Sequence, residues 1–416
     1  MHRTRGSIGR IDSREVEVKP IYLDYNATTP VATPVLEAML PFLQHEYGNP
    51  SSAHALGWRA HEAVERARIQ VAALIGSAPQ EIVFTAGGTE ASNLAIRGAA
   101  RARPQRRHVL TSAFEHPATE ETCKCLERDG FRVTRVAIAP DGRVRPEEVA
   151  KLLDDEIGVV TVMHANNELG TLQPVAEIAR LAREKGALVH TDAAQSVGKI
   201  RVDVDALGVD LLTIAGHKLY APKGVGALYV RRGTRLEPVL AGAGHERGLR
   251  PGTENVAGIV GLGKACELAE RDMCAETMRL RGLRDELLAR LRAAVPGVVL
   301  HGHPTDRLPN TLFLSFPGVP GGRLLESVPE LCASTGSACH SGSDAPCASL
   351  LAIGVPPENA MGPVRLSLGR NTTVAEVEEA AALLAAAWRK FAPLGAKEEP
   401  VARALFHRDA STNQAP

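Results

Sequence analysis

The stretch "TIAGHKLYAPKG", Thr213–Gly224, starts as the end of an apolar, β-branched run and then presents His217 and Lys218 side by side. A lysine is seldom left at the end of a buried strand unless it is paired or chemically used. Working outward, the run "LLTIAG" (211–216) is one of a series of strand-like segments. The others are "EIVFT" (81–85), "HVLTS" (108–112), "RVTRVAI" (132–138), "VVTVMHA" (159–165), "ALVHTDAA" (187–194) and "GALYVRR" (226–232). Helix-length amphipathic stretches such as "PVAEIARLAREKG" (174–186) separate most of them. Strand–helix alternation predicts right-handed crossovers and an α/β fold with a mostly parallel sheet covered on both faces.

Residues 254–295 form one long helical pattern, expected to carry the chain from one domain to the next. Beyond it, "GVVLHG" (297–302), "TLFLSF" (311–316) and "VRLSLG" (364–369) alternate with helices, as in a smaller α+β domain. A length of 416 residues suits two domains. The expected division is an N-terminal segment, 1–31, packing with the small domain; a large domain, 32–275; a small domain, 276–396; and a disordered polar tail, 397–416.

Hydrophobic residues at 44% and charged residues at 23% describe a soluble globular protein. Lys+Arg and Asp+Glu are both 48, so no net field draws the chain to nucleic acid or an anionic membrane. The longest plain apolar run, "AALLAAAW" (381–388), is far short of the about 20 residues of a membrane helix. The first twenty residues mix charge signs and lack the apolar centre of a secretory signal. Seven scattered cysteines, without metal-ligand spacing, point to free thiols in a reducing, cytoplasmic compartment and to no metal site.

In parallel sheets, function gathers at the carboxyl ends of the strands. Gly87-Gly88-Thr89, Glu115-His116, Asn166-Asn167-Glu168, Asp192 with Gln195, and His217-Lys218 all follow strand segments. "TAGGTEASNLAI" (85–96) reads in two ways: a helix with Thr89 as its N-cap, or a phosphate cradle of free N–H groups and a hydroxyl. Asp192 closes the apolar run of "VHTDAAQSVGK" (189–199), either as a cap or as the partner of a cation. Lys218 alone would be read as snorkelling to solvent. Beside a phosphate cradle and a buried acid, it reads as a Schiff-base lysine with a depressed pKa. Pyridoxal phosphate needs this set: a lysine for the aldehyde, an acid for the pyridinium nitrogen and a phosphate cup.

These and other motifs resemble the cysteine desulfurase and selenocysteine lyase family. They are "YLDYNATTPV", "NPSSAHALG", "IVFTAGGTEASNLAI", "MHANNELGTLQPV", "VHTDAAQSVGKIRVD", "GHKLYAPKGVGALYVRR", "GAGHERGLRPGTEN", "ASTGSACHS" and "VRLSLGRNTT". The resemblance covers roughly residues 20–395. It implies a class V, fold-type I transferase dependent on pyridoxal 5′-phosphate, with a mostly parallel seven-stranded sheet, working as a homodimer with shared active sites. It implies that Lys218 carries the cofactor, Asp192 pairs with the pyridine nitrogen and Gln195 bonds the phenolic oxygen. It further implies that His116 stacks on the ring, and that Gly88, Thr89 and His217 bind phosphate, with Thr253 reaching the phosphate of the partner copy. Asn167 and Arg365 would hold the substrate carboxylate, and Cys339 would be the nucleophile. The implied substrate is L-cysteine or L-selenocysteine, and the implied recipient is a sulfur or selenium acceptor protein. Ala215 departs from the family, many of whose members have serine there, which removes one phosphate donor.

Cys339 also stands out by its surroundings, since "STGSACHSGSD" is a small-residue, glycine-rich loop that leaves a thiol accessible. Cys347 is a candidate second relay thiol. Cys332, in "ELCAS", reads as structural, and Cys123, Cys125, Cys266 and Cys274 fall in helical patterns.

Overall fold

A computed structural model describes residues 20–336 and 346–392. Its strands are β1 Ile21–Tyr22, β2 Ile82–Thr85, β3 His108–Ser112, β4 Arg132–Val136, β5 Ile157–Thr161, β6 Leu188–Asp192, β7 Leu211–Ala215, β8 Gly226–Val230, β9 Val299–Leu300, β10 Thr311–Ser315, β11 Leu331–Cys332 and β12 Val364–Ser367. Seven of them make one sheet in the order β2-β8-β7-β6-β5-β3-β4. Pairing is parallel from β7 through to β4, while β8 runs antiparallel to both its neighbours. Every residue of β3, β5, β6, β7 and β8 is buried, as expected of strands covered on both faces. The edge strand β4 is different: it exposes Arg132 and half-buries Arg135, charges that discourage further pairing.

The expected strands are all present, most of them with shorter ends and β3 with the expected bounds. The segment 159–165 loses its partner β3 after Thr161, where the Met163 N–H turns to the Glu115 carboxylate at 3.0 Å and 3.1 Å, while the Val162 and His164 N–H groups still donate to the His190 and Asp192 carbonyls of β6 at 3.2 Å and 2.9 Å. Alternate side chains feed two cores. Ile82, Phe84, Leu110, Leu212 and Ile214 pack on one face of the sheet. Val83, Val109, Val159, Leu211 and Leu228 pack on the other with Leu94 and Ile96.

The helix Val256–Ala294 has 39 residues and spans about 58 Å at 1.5 Å per residue. Its first half, including Leu262, Ala265 and Cys266, belongs to the sheet core. Its second half, Leu280 to Leu291, belongs to another core with Leu312, Leu366, Leu384 and Trp388. That second core carries the antiparallel sheet β12-β10-β9 and the small parallel pair β1-β11. Ile21 and Leu23 lie in it too, so the N-terminal part of the described chain packs there before crossing to the large sheet.

Candidate active site

Strand β7 delivers Lys218. After Ala215 the chain turns through a short 3-10 segment, Gly216–Lys218. The turn needs a glycine, since a Cβ on Gly216 would lie 2.8 Å from the Val225 carbonyl oxygen. The ammonium does not snorkel outward. Lys218 Nζ donates to the backbone carbonyls of Asn26 and Ala27, both at 2.6 Å. Burial, reinforced by the Arg365 charge, lowers its pKa to about 8.

Strand β6 ends on Asp192, which is 8% exposed. Its Oδ1 accepts from the Ala194 N–H at 2.9 Å, and Oδ2 takes no hydrogen bond from a described residue. Burial raises its pKa against the pull of His116 and Lys218, so a cation placed against Oδ2 would offset a real desolvation cost. His116 caps the helix Pro117–Arg128, and its Nδ1 accepts from the Ala118 N–H at 3.1 Å. The proton of the neutral imidazole is therefore on Nε2. Part of the ring faces solvent, but the surrounding cleft still lowers its pKa, chiefly by desolvation.

The helix Gly88–Arg101 points its N-terminus into the same space. Gly87, not Thr89, occupies the cap position and offers no side chain, so the first N–H groups have no internal acceptor. A Cβ on Gly88 would lie 3.1 Å from the Ala215 Cβ; these two small residues keep the cup open. His217 Nδ1 lies 3.1 Å from Thr28 Oγ1, and burial followed by Lys218 lowers its pKa to about 4, leaving a neutral donor. Arg365, on β12, is 2% exposed. It donates to the Asn167 carbonyl at 3.1 Å and to Asp24 Oδ1 at 2.8 Å, while its Nε is buried without a partner among the described residues.

Gly88, Thr89, His116, Asn167, Asp192, Gln195, His217, Lys218 and Arg365 all line one cavity of about 290 Å³. A second cavity, of about 570 Å³, adjoins it at Gly88, Thr89 and His217. Thr253 is exposed and is not in the wall of either. Cys339 lies outside the described residues. Cys347 is half-buried, with its Sγ 3.7 Å from Glu168 Oε2, and burial with that carboxylate pushes its thiol up to about 12. Such a thiol stays protonated, which argues against a relay role.

Three site residues were missed by reasoning from sequence. Asn26 supplies the carbonyl that receives Lys218, and Asp24 holds Arg365. Lys199 donates to Gln195 Oε1 at 2.8 Å. Asp24 and Asn26 sit in the quoted motif "YLDYNATTPV", and Lys199, like Lys218, is a lysine in an otherwise small and apolar run.

Residues 21–380 match the family model described as Aminotransferase class-V. The chain is 48% identical over 375 residues to a cysteine desulfurase IscS of Anaeromyxobacter dehalogenans, covering 89% of this chain and 93% of that one. The chain belongs to the class-V aminotransferase family, in its cysteine desulfurase branch. It is also 45% identical over 372 residues to a mitochondrial cysteine desulfurase of Drosophila melanogaster, covering 88% of this chain and 80% of that one. Among solved structures, a NifS-like protein superposes with a TM-score of 0.83 at 37% identity, over 88% of this chain and 98% of its own. Another, SspA in complex with cysteine, gives a TM-score of 0.74 at 36% identity, over 83% of this chain and 98% of its own.

This membership makes pyridoxal 5′-phosphate the cofactor, and the class-V cavity fits it. A lysine of lowered pKa, a buried carboxylate and an arginine Nε each without a further partner among the described residues, and uncapped helix N–H groups are the groups that a pyridine ring, a phosphate and a substrate carboxylate would satisfy.

Proposed function

We propose that this protein removes sulfur from L-cysteine, leaving L-alanine, and passes the sulfur on as a cysteine persulfide. The convergence of Lys218, Asp192 and the uncapped helix N-terminus in one cavity carries this reading. The names of the relatives support L-cysteine over L-selenocysteine.

When bound, pyridoxal 5′-phosphate supplies an electron sink for the substrate α-carbon. The Gly88 and Thr89 amides, the Thr89 hydroxyl and His217 would bind its phosphate. Asp192 would keep the proton on the pyridine nitrogen, Gln195 would donate to the phenolic oxygen, and His116 would stack on the ring. Arg365, with Asn167, orients the substrate carboxylate. The Lys218 amine takes the α-proton and later returns one, a task suited to a lysine whose pKa is lowered to about 8. The Cys339 thiolate then bonds to the substrate sulfur as the Cβ–S bond breaks. The electron pair left on carbon takes a proton and gives L-alanine, and Cys339 holds the sulfur for an acceptor protein.

The same reading makes the protein a homodimer. An exposed apolar face on the helices Thr33–Gln44 and Ala55–Ile75, with Leu36, Leu43, Trp58 and Ile69, supports this, as does the exposure of Thr253. It also divides the chain near residue 275, where the long helix passes from one core to the other. No described helix is long and apolar enough to cross a membrane, and the free cysteines suit a reducing cytoplasm.

The test is alanine formation from L-cysteine by reconstituted protein without a keto acid. An aminotransferase would need that acceptor. Alanine and sulfur in equal amounts support the proposal, and alanine formed only when keto acid is added overturns it.

A further inference from the structure

Lys199 ends the run that begins with Asp192, and it is the second lysine drawn into this site. Its Nζ donates to Gln195 Oε1 at 2.8 Å and to Asn26 Oδ1 at 3.1 Å. The direction of both bonds is fixed from outside. Asn310 Nδ2 donates to the Leu368 carbonyl at 3.0 Å and to Asn26 Oδ1 at 3.1 Å. A backbone carbonyl only accepts, so the orientation of Asn310 is set, and with it that of Asn26. The Asn26 amide nitrogen donates to Thr311 Oγ1 at 2.9 Å and to the Asn167 carbonyl at 3.3 Å, in agreement. Lys199 therefore has to give a proton to Asn26 Oδ1, and a second N–H is available for Gln195 Oε1 even if the amine is neutral.

With Oε1 taken, Gln195 turns its Nε2 the other way, toward the Asn26 carbonyl at 3.0 Å, the same carbonyl that accepts from Lys218 at 2.6 Å. We infer that Lys199 is a positioning residue for the reaction: it holds the Gln195 amide with its N–H face toward the phenolic oxygen of bound pyridoxal phosphate. The inference rests on the proposed contact between Gln195 and that oxygen. Without Lys199 the Gln195 amide keeps only its bond to the Asn26 carbonyl, and the lost clamp on Oε1 lets Nε2 swing away from the phenolic oxygen. Lys218 and Arg365 both bear on Lys199 electrostatically, so its loss also removes a positive neighbour from the site when it is charged.

The test is a spectroscopic pH titration of the visible band of protein loaded with pyridoxal phosphate, with bound cofactor counted separately. A donor to the phenolic oxygen favours its anionic form, so losing the donor raises the proton affinity there. Lys199→Met is expected to move the midpoint up by about 1 pH unit, a tenfold change in proton binding. Gln195→Leu is expected to move it similarly, and Lys199→Met added to Gln195→Leu is expected to move it little further. Lys199→Gln keeps an N–H to give and should stay near the wild-type midpoint; it stands in if Lys199→Met does not fold. An unmoved midpoint in Lys199→Met, a full second shift in the double variant, or Lys199→Gln shifted by as much as Gln195→Leu overturns the inference. If Gln195→Leu itself leaves the midpoint in place, the contact between Gln195 and the phenolic oxygen is wrong, and the inference falls with it.

Discussion

Single residues set the chemistry through their surroundings. Lys218 is the clearest case. An ordinary lysine amine is free only above its usual pKa of about 10.4, whereas burial beside Arg365 brings this one to about 8. Cofactor uptake by the unloaded protein is therefore expected to accelerate as pH rises toward 8 and to level off above it. A rate that climbs on past pH 10 would show an unperturbed amine. Lys218→Ala, assayed with cofactor present in excess, should lose about 10²–10⁴ or more in turnover, the usual worth of a positioned acid–base group. The thiols Cys339 and Cys347 should separate just as clearly. Cys347 is held protonated by burial and Glu168, so Cys347→Ala should keep nearly all alanine production, while Cys339→Ala should lose nearly all of it.

At the scale of elements, much of the site was legible in the sequence because parallel strands deliver their last residues to one edge. Asp192, Lys218 and the Gly88-Thr89 turn each announce themselves within a dozen residues of their own strand. Asn26 and Lys199 did not, because what makes them functional is contact across the fold: 192 positions separate Asn26 from Lys218, and 173 separate it from Lys199. No local pattern encodes such pairs. The same holds for Arg68 and Glu246, a buried ion pair at 2.7 Å and 2.8 Å that joins the helix Ala55–Ile75 to the loop leading to Thr253. Glu246 Oε2 also accepts from the Phe84 N–H at 2.8 Å, which fastens that loop to β2. Removing one partner of such a pair strands the other, so Glu246→Ala is expected to cost about 3–5 kcal/mol in chemical denaturation. Cup and strand end also make a testable unit. Ala215→Ser restores a hydroxyl at the end of β7, in the wall of the cavity, and should tighten cofactor retention about 2–10-fold, the worth of one hydrogen bond. Weaker retention would show that the hydroxyl crowds Gly88 instead.

For the molecule as a whole, the buried histidines weaken the fold in acid. His190, fully buried between Thr161 Oγ1 at 2.8 Å and Thr213 Oγ1 at 3.0 Å, has its pKa lowered to about 3, and His164 to about 4, both by burial. Below the unfolded-state value of about 6.5 the unfolded chain binds these protons and the folded chain does not. The stability these two rings contribute should thus be fully present above pH 6.5 and fall toward pH 3–4, by up to ~1.4 kcal/mol per pH unit for each histidine. Denaturant midpoints measured from pH 7 down to pH 4 check this, and a flat profile would mean that the two rings protonate in place. The central claim, that this fold exists to hold pyridoxal phosphate on one lysine, is most directly tested by borohydride reduction of the loaded protein and mapping of the modified peptide. Lys199 lies in the same network and is the natural competitor. The expected result is one cofactor per chain fixed on Lys218; cofactor fixed on Lys199, or on neither lysine, would contradict it.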